Sequence, residues 1–414
     1  MDISLDKSKI ANPKSIITIT GSKSESNRLL LLQALYPEIS IENLSNSDDS
    51  VLMQKALQST KNVIDIHHAG TAMRFLTAYF SIQEGREIIL TGSNRMQERP
   101  IQILVEALQQ LGAEISYEKN QGFPPIQIKG KTLTKSKVTL NANVSSQYIS
   151  AVLLIAPKLK NGLELTLEGK ITSVPYIEMT LSLLKKIGVE TSFSNNIINI
   201  KHKTQNPKSN NFVVESDWSS ASYYYSIVAL SDVGTEIGLS FYKKNSLQGD
   251  WALTEIYKEF GVQTTFENDS IIIEKSSIVN RQSSIEFDLS NSPDIAQTIA
   301  VTCFGLGIEC FLTGLHTLKI KETDRLLALK IEIEKLGGQV KITQDSLQIL
   351  DSNSINKNIN IETYNDHRMA MAFAPLALKT PLIINDAEVV SKSYPNFWND
   401  LKTLGFQLTE IINT

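Results

Sequence analysis

Two kinds of apolar run alternate along the chain. The first is amphipathic and closes on a glycine before a strand-like stretch: LVEALQQLGAEI, LSLLKKIGVETS, LTEIYKEFGVQT, IEIEKLGGQV and FWNDLKTLGFQL. The closing glycines are Gly112, Gly188, Gly261, Gly337 and Gly405, spaced by 76, 73, 76 and 68 residues. Apolar positions at helical spacing predict a half-buried helix. A glycine at its end predicts a left-handed cap that releases the chain into a strand. A sixth, weaker copy, DDSVLMQKALQST, lacks the glycine. The second kind of run is apolar on nearly every face and opens with small polar residues. Its copies are KSESNRLLLLQAL, GTAMRFLTAYF, SSQYISAVLLIAP, SSASYYYSIVAL, PDIAQTIAVTCFGL and DHRMAMAFAPLAL. A helix apolar all round is a buried one. Short β-rich stretches such as SIITIT, REIILTG, LELTLEG, EIGLSF and SIIIEK fill the gaps.

The alternation predicts a sixfold α/β repeat, with one buried and one half-exposed helix per unit. A period of about 75 residues exceeds the roughly 20–50 of solenoids, so each unit is closer to a small subdomain. Three units per domain is the simplest partition, with the seam near Glu215. The Asn- and Ser-rich stretches TQNPKSNN and DSNSINKN read as exposed turns.

Composition narrows the function. The chain has 414 residues, 42% hydrophobic, with a net charge of −4. That balance argues against nucleic acid or an anionic membrane as the main partner, and makes any anion site a local pocket. No apolar run reaches the roughly 18 residues that span a bilayer. MDISLDKSKI carries no leader pattern, so a cytoplasmic location is expected. Cys303 and Cys310 sit in apolar context as core thiols. Only eight of 40 basic residues are arginine: Arg28, Arg74, Arg86, Arg95, Arg99, Arg281, Arg325 and Arg368. Arginine offers a rigid fork that grips carboxylates and phosphates bidentately. Five of the eight lie in short polar clusters that open helices: GSKSESNR, AGTAMR, QERP, KETDR and NDHR.

Helix starts carry free N–H groups and the positive end of the dipole, and so suit anions. Taken singly, each polar cluster is more simply a cap. Repetition with a cation in or beside the first turn raises the functional reading. Lys23, Ser24 and Arg28 form the first cluster, and Gly70, Thr71 and Arg74 the second. Arg99 precedes Pro100, a favoured first helical residue. Ser145, Ser146 and Gln147 offer three uncharged hydrogen-bonding side chains where a cap needs one. The sharpest cluster is Lys321-Glu322-Thr323-Asp324-Arg325, with Thr323 as the expected cap. Asp294 opens another buried helix, either as a cap or as a general base. Asp366-His367-Arg368 opens the last, and Lys392 precedes the final amphipathic run. No Walker A, dinucleotide fingerprint, zinc spacing or nucleophile elbow is present. The sequon at Asn143 means nothing without a secretory signal.

GSKSESNRLLLLQAL, AGTAMRFL, RMQERPI, VSSQY, SVPYIEMT, SDWSSASY, NSLQGD, SPDIAQTIA, KETDRL, YNDHRMAMAF and VSKSYP run in order from Gly21 to Pro395. In these motifs the chain closely resembles the enolpyruvyl transferase family, in its branch that acts on shikimate 3-phosphate. The resemblance implies a two-domain inside-out α/β barrel of six βαβαββ repeats, three per domain. It implies residues 1–20 with 216–414 as the C-terminal domain, 21–215 as the N-terminal one, and an active site in the cleft between them. It implies transfer of enolpyruvyl from phosphoenolpyruvate to the 5-hydroxyl of shikimate 3-phosphate, releasing phosphate. Lys23, Ser24, Arg28, Ser145, Ser146, Gln147, Ser173, Tyr176, Asp294 and Lys321 would hold shikimate 3-phosphate. Lys23, Gly70, Arg99, Gln147, Arg325, Arg368 and Lys392 would hold phosphoenolpyruvate. Asp294 would be the base and Glu322 the acid, with Lys23 and His367 beside them. No metal, no organic cofactor and a monomer are expected. Two cations around Glu322 favour its charged form, so two bound polyanions would have to offset them before it can donate a proton.

Three positions depart from the family pattern. His68 stands for an asparagine, Phe75 for the proline after Arg74, and Thr317 for an asparagine that touches the shikimate phosphate. They bear on the phosphoenolpyruvate pocket and its response to glyphosate. The sister enzyme acting on UDP-N-acetylglucosamine usually carries a Lys-Asn pair and a loop cysteine, whereas Lys23 precedes serine here. A ring-like nucleic-acid clamp would need a basic inner surface, and the buried helices are apolar.

Overall fold

The computed structural model describes residues 1–11, 14–142, 145–169, 171, 173–203, 210–277, 284–350 and 354–411. Arg281 and the sequon residues Asn143 and Val144 lie outside these. The chain divides into two compact units, Gly21–Val214 and Met1–Thr20 with Glu215–Thr414. They are called the N-terminal and C-terminal units below. Glu215 lies in the C-terminal unit, where its carboxylate accepts from Trp218 Nε1 at 2.8 Å, Ser246 Oγ at 2.6 Å and the Lys243 amide at 2.9 Å.

The repeat is written in hydrogen bonds. Val63–Asp65 and Glu87–Thr91 pair in parallel, joined by the buried helix Gly70–Ser81. A parallel pair needs such a crossover. The amphipathic helix Gln102–Leu111 then leads into the antiparallel strands Glu114–Tyr117 and Ile126–Lys129. Lys137–Asn141 and Leu163–Glu168 repeat the parallel pairing across helix Ser146–Ile155. In the C-terminal unit Ser284–Asp288 with Glu309–Thr313 does so across Ala296–Leu306, and Ile359–Ile361 with Leu382–Ile384 across His367–Phe373. The C-terminal unit has three four-stranded sheets. The N-terminal unit has two and a two-stranded sheet, Ile39–Glu42 with Asn210–Val213. That short sheet lies in the repeat whose glycine signal is missing from the sequence.

The five punctuating glycines all take positive φ, from 72° at Gly261 to 103° at Gly112. One amphipathic run departs from its expected form. LTEIYKEF is an α-turn, Leu253–Ile256, followed by a 3₁₀ segment, Tyr257–Phe260. Tighter winding brings positions i and i+3 onto one side. Tyr257 and Phe260, both fully buried, then stack edge to face with centroids 5.1 Å apart. The first strand, Asp2–Leu5, lies between Leu382–Ile384 and Leu408–Ile411. The six all-apolar runs are buried as their patterns predict; in Trp218–Leu230 every residue but Ser219 is buried.

Candidate active site

The C-terminal unit gathers charge around one acid. Asp294 lies in the 3₁₀ turn Pro293–Ile295 ahead of helix Ala296–Leu306. Its carboxylate caps no helix. Oδ1 faces Arg325 Nη1 at 3.0 Å and Lys321 Nζ at 3.4 Å, and Oδ2 faces Arg368 Nη2 at 3.3 Å. Three cations thus face a carboxylate that keeps 20% of its surface open and reachable.

Arg325 is the hub. It is the first residue of helix Arg325–Lys335, whose cap is Asp324, accepting from the Leu327 amide at 3.1 Å. The expected cap, Thr323, is displaced because Asp324 stands one residue nearer the first turn. Arg325 donates through Nε to Asp366 Oδ2 at 2.6 Å, through Nη1 to Asp294 and through Nη2 to Glu322 Oε2 at 2.8 Å. Burial lowers the proton affinity of this guanidinium. Asp366, Glu322 and Asp294 outweigh that and hold it above its ordinary value. Asp366, fully buried, also caps helix His367–Phe373 by accepting from the Arg368 amide at 2.9 Å. His367 is buried beside it, Nδ1 3.9 Å from Asp366 Oδ1. Lys392 ends the 3₁₀ segment Ala387–Lys392 and donates to the Asn365 carbonyl at 2.6 Å, on the loop into Asp366. Lys321 keeps about a quarter of its side chain in contact with solvent, yet crowding and burial still pull its ammonium down. Thr317 lies in the preceding 3₁₀ turn, His316–Ile320.

The N-terminal unit holds Arg28 on neutral hydrogen-bond partners. Helix Lys23–Leu35 is capped by Ser22, so Lys23 and Ser24 stand half-buried in its first turn. Arg28, one turn on, is 2% exposed. Its Nε donates to Thr180 Oγ1 at 2.8 Å, Nη2 to Ser150 Oγ at 2.8 Å and to the Tyr176 carbonyl at 3.2 Å, and Nη1 to the Ser24 carbonyl at 2.8 Å. Its fork lies over the rings of Phe75 and Tyr176, 5.4 and 5.9 Å from their centroids. Phe75, one of the departures, is thus a cation–π platform. Burial draws the Arg28 guanidinium down to about 10, which leaves it charged at neutral pH.

Ser145 caps helix Ser146–Ile155, and Gln147 Nε2 reaches Thr71 Oγ1 at 3.3 Å. This contact links that helix start to the one at Gly70. A Cβ added to Gly70 would stand 2.6 Å from Arg99 Nη1, so the guanidinium packs on the bare glycine. Arg99 is followed by a helix that begins at Gln102 rather than Pro100. The Ile101 amide is taken by the Gly122 carbonyl and the Pro100 carbonyl by Tyr148 Oη. Ser173 precedes helix Val174–Lys186 in left-handed conformation, φ 54°, and makes no cap hydrogen bond. Such strain marks positions held for function more often than chance.

Lys23, Ser24, Arg28, Ser173 and Tyr176 thus share one region of the N-terminal unit. Gly70, Arg99 and Gln147 share another, joined through Thr71. Asp294, Lys321, Glu322, Arg325, His367, Arg368 and Lys392 lie in one connected cluster of the C-terminal unit. The sequence reading missed Thr180, Ser150, Ser219 and Asp250. Arg95 pairs on the surface with Glu98 at 3.0 Å. Arg86 donates to the carbonyls of Ser59, Thr60 and Lys61 and closes the chain after helix Asp48–Leu57. Among the described residues no group of three or more His, Cys, Asp or Glu is placed to hold a metal ion. No helix is long and apolar enough to cross a membrane.

Solved structures give the class first. An EPSP synthase from Acinetobacter baumannii matches 99% of this chain and 100% of its own, with TM-score 0.77 and 21% identity. The enolpyruvyl transferase NikO from Streptomyces tendae matches 99% and 98%, with TM-score 0.74 and 13% identity. These share the two-domain α/β fold of enolpyruvyl transferases. The chain is 48% identical over 397 residues to a 3-phosphoshikimate 1-carboxyvinyltransferase of Bacteroides fragilis, covering 95% of this chain and 96% of the other. It is 36% identical over 428 aligned positions to the Haemophilus influenzae enzyme of the same name, covering 95% and 97%. The family profile of EPSP synthase (3-phosphoshikimate 1-carboxyvinyltransferase) matches residues 53–401. The chain belongs to that family.

Proposed function

We propose that the protein transfers the enolpyruvyl group of phosphoenolpyruvate to the 5-hydroxyl of shikimate 3-phosphate, giving 5-enolpyruvylshikimate 3-phosphate and phosphate. Family membership supports the reaction. The observation that carries the residue assignment is Asp294, an accessible carboxylate among three cations that caps no helix. In this reading Asp294 takes the 5-hydroxyl proton as the oxygen attacks C2 of phosphoenolpyruvate. Glu322 gives a proton to the methylene carbon. The product keeps a carbon–carbon double bond, so that methyl must lose a proton again as the C2–O bond to phosphate breaks. Glu322 is the group that takes it back, and the leaving phosphate carries off the proton that Asp294 received, so the proton count balances.

Lys23, Ser24, Arg28, Ser145, Ser146, Gln147, Ser173, Tyr176 and Lys321 hold shikimate 3-phosphate with Asp294. Lys23, Gly70, Arg99, Gln147, Arg325, Arg368 and Lys392 hold phosphoenolpyruvate. His367 stays beside Asp366 and steadies the helix start. Catalysis on this reading draws on residues of both units. The protein works as a cytoplasmic monomer on this reading. Phosphate release from phosphoenolpyruvate is the test, with shikimate 3-phosphate or UDP-N-acetylglucosamine as the only acceptor. Release with the first alone is expected. No release with it would end this reading.

A further inference from the structure

Arg368 does not rest on Asp294 alone. Its Nη1 donates to the Asp294 carbonyl at 3.0 Å and its Nη2 to Ser219 Oγ at 3.4 Å. Ser219 Oγ in turn donates to Asp250 Oδ2 in a short hydrogen bond. Asp250 is 2% exposed in the 3₁₀ turn Gly249–Ala252. Its Oδ1 is buried and meets no donor among the described residues, and neither does Arg368 Nε meet an acceptor. The charged groups facing Asp250 are Asp294 from its 3₁₀ turn, Arg368 from helix His367–Phe373 and Asp217 from the start of helix Trp218–Leu230. Burial first, then Asp294, push the Asp250 carboxyl up to about 7, while Arg368 and the Ser219 hydroxyl pull it back.

We propose that Asp250 is a positioning residue for Arg368: ionised, it competes through Ser219 for the guanidinium, and protonated, it frees that fork for an anion. This rests on Arg368 gripping phosphoenolpyruvate, as above. Asp250 itself touches no substrate. Below pH 7 it is neutral and the fork is open to the substrate. As pH rises through 7 it ionises, holds Arg368 back and repels the incoming anion. Affinity for phosphoenolpyruvate therefore falls with rising pH.

The test is the KM for phosphoenolpyruvate between pH 5.5 and 8.5 at saturating shikimate 3-phosphate, in the parent, Asp250→Asn and Ser219→Ala. The substrate phosphate titrates near pH 6 in every case, so the difference between proteins is the quantity read. From pH 6 to 8 the parent KM should rise about fivefold more than that of Asp250→Asn, the effect of one unit charge at contact distance under water-like screening. Turnover at saturation should differ by less than about twofold. Ser219→Ala removes a hydrogen bond to the carboxylate, so its KM rise should move to higher pH. Superimposable KM profiles for parent and Asp250→Asn would overturn the proposal, as would an unmoved midpoint in Ser219→Ala or a change in kcat alone. A parent that releases no phosphate at any pH would instead overturn the proposed reaction.

Discussion

Arg325 in the C-terminal unit and Arg28 in the N-terminal unit are buried in opposite ways. In the C-terminal unit Arg325 is neutralised by the carboxylates of Asp366, Asp294 and Glu322, and Arg368 contacts Asp294. In the N-terminal unit Arg28 is as deeply buried, yet its donors meet two hydroxyls and two carbonyls, and Arg74 reaches the Gly70 carbonyl at 2.9 Å and the Met96 sulfur. A buried ion pair costs desolvation that its partner offsets. A buried cation on neutral partners keeps its charge for something that arrives. On the proposed reading, the first arrangement orients acids for proton transfer and the second attracts a polyanion.

That contrast can be broken by substitution. Arg325→Met removes the shared partner of three acids and leaves Asp366 buried and uncompensated. A loss of about 3–5 kcal/mol in unfolding free energy is expected by urea titration; a loss under 1 kcal/mol would mean the cluster is not coupled. Asp294→Asn keeps shape and removes the base. Turnover should fall about 10³-fold with substrate affinities altered far less. Arg28→Met should be milder for stability. The hydroxyls it leaves still bond each other, Thr180 Oγ1 to Ser150 Oγ at 3.0 Å and to the Tyr176 carbonyl at 2.9 Å. About 1–2 kcal/mol is expected, together with a rise of at least about tenfold in the KM for shikimate 3-phosphate, as for a lost charged contact. Equal stability losses at Arg28 and Arg325 would erase the contrast. Gly70→Ala places a methyl where Arg99 Nη1 now lies. The guanidinium is flexible and moves aside, so folding holds while the KM for phosphoenolpyruvate rises about tenfold, the effect of roughly 1.4 kcal/mol of misplaced contact. Ser173→Gly is the smallest. Relief of a left-handed serine should roughly balance the added chain entropy, to within about 1 kcal/mol by thermal melting.

Local rules were legible in the sequence, and long-range partners were not. The glycine caps could be read because a cap is decided within one turn, and each of the five has positive φ. The clusters at Lys321–Arg325 and Asp366–Arg368 could be read because residue type and helix start coincide there. Their internal wiring could not. Arg325 meets Asp366 across 41 positions and Arg368 meets Asp294 across 74, and no periodicity links them. Asp294 was open to two readings because a cap and a base look alike before the fold brings Lys321 and Arg368 to it. Asp250 was missed because nothing within NSLQGD singles out its acid, and only burial makes its carboxyl unusual. Thr323 lost the cap to Asp324 by a single residue, the usual margin of error at a helix end.

The position of Asp2–Leu5 has a consequence for how the protein is made. This strand leaves the ribosome well before its neighbours, Leu382–Ile384 and Leu408–Ile411. The segment Gly21–Val214 has its own pairings and can close while synthesis continues. The Asp2–Leu5 strand must wait, unpaired, until Leu382–Ile384 and Leu408–Ile411 have followed it. Nascent chains halted before residue 380 should therefore expose it to proteases, and the final docking of a strand from so far back should be the slow step of maturation.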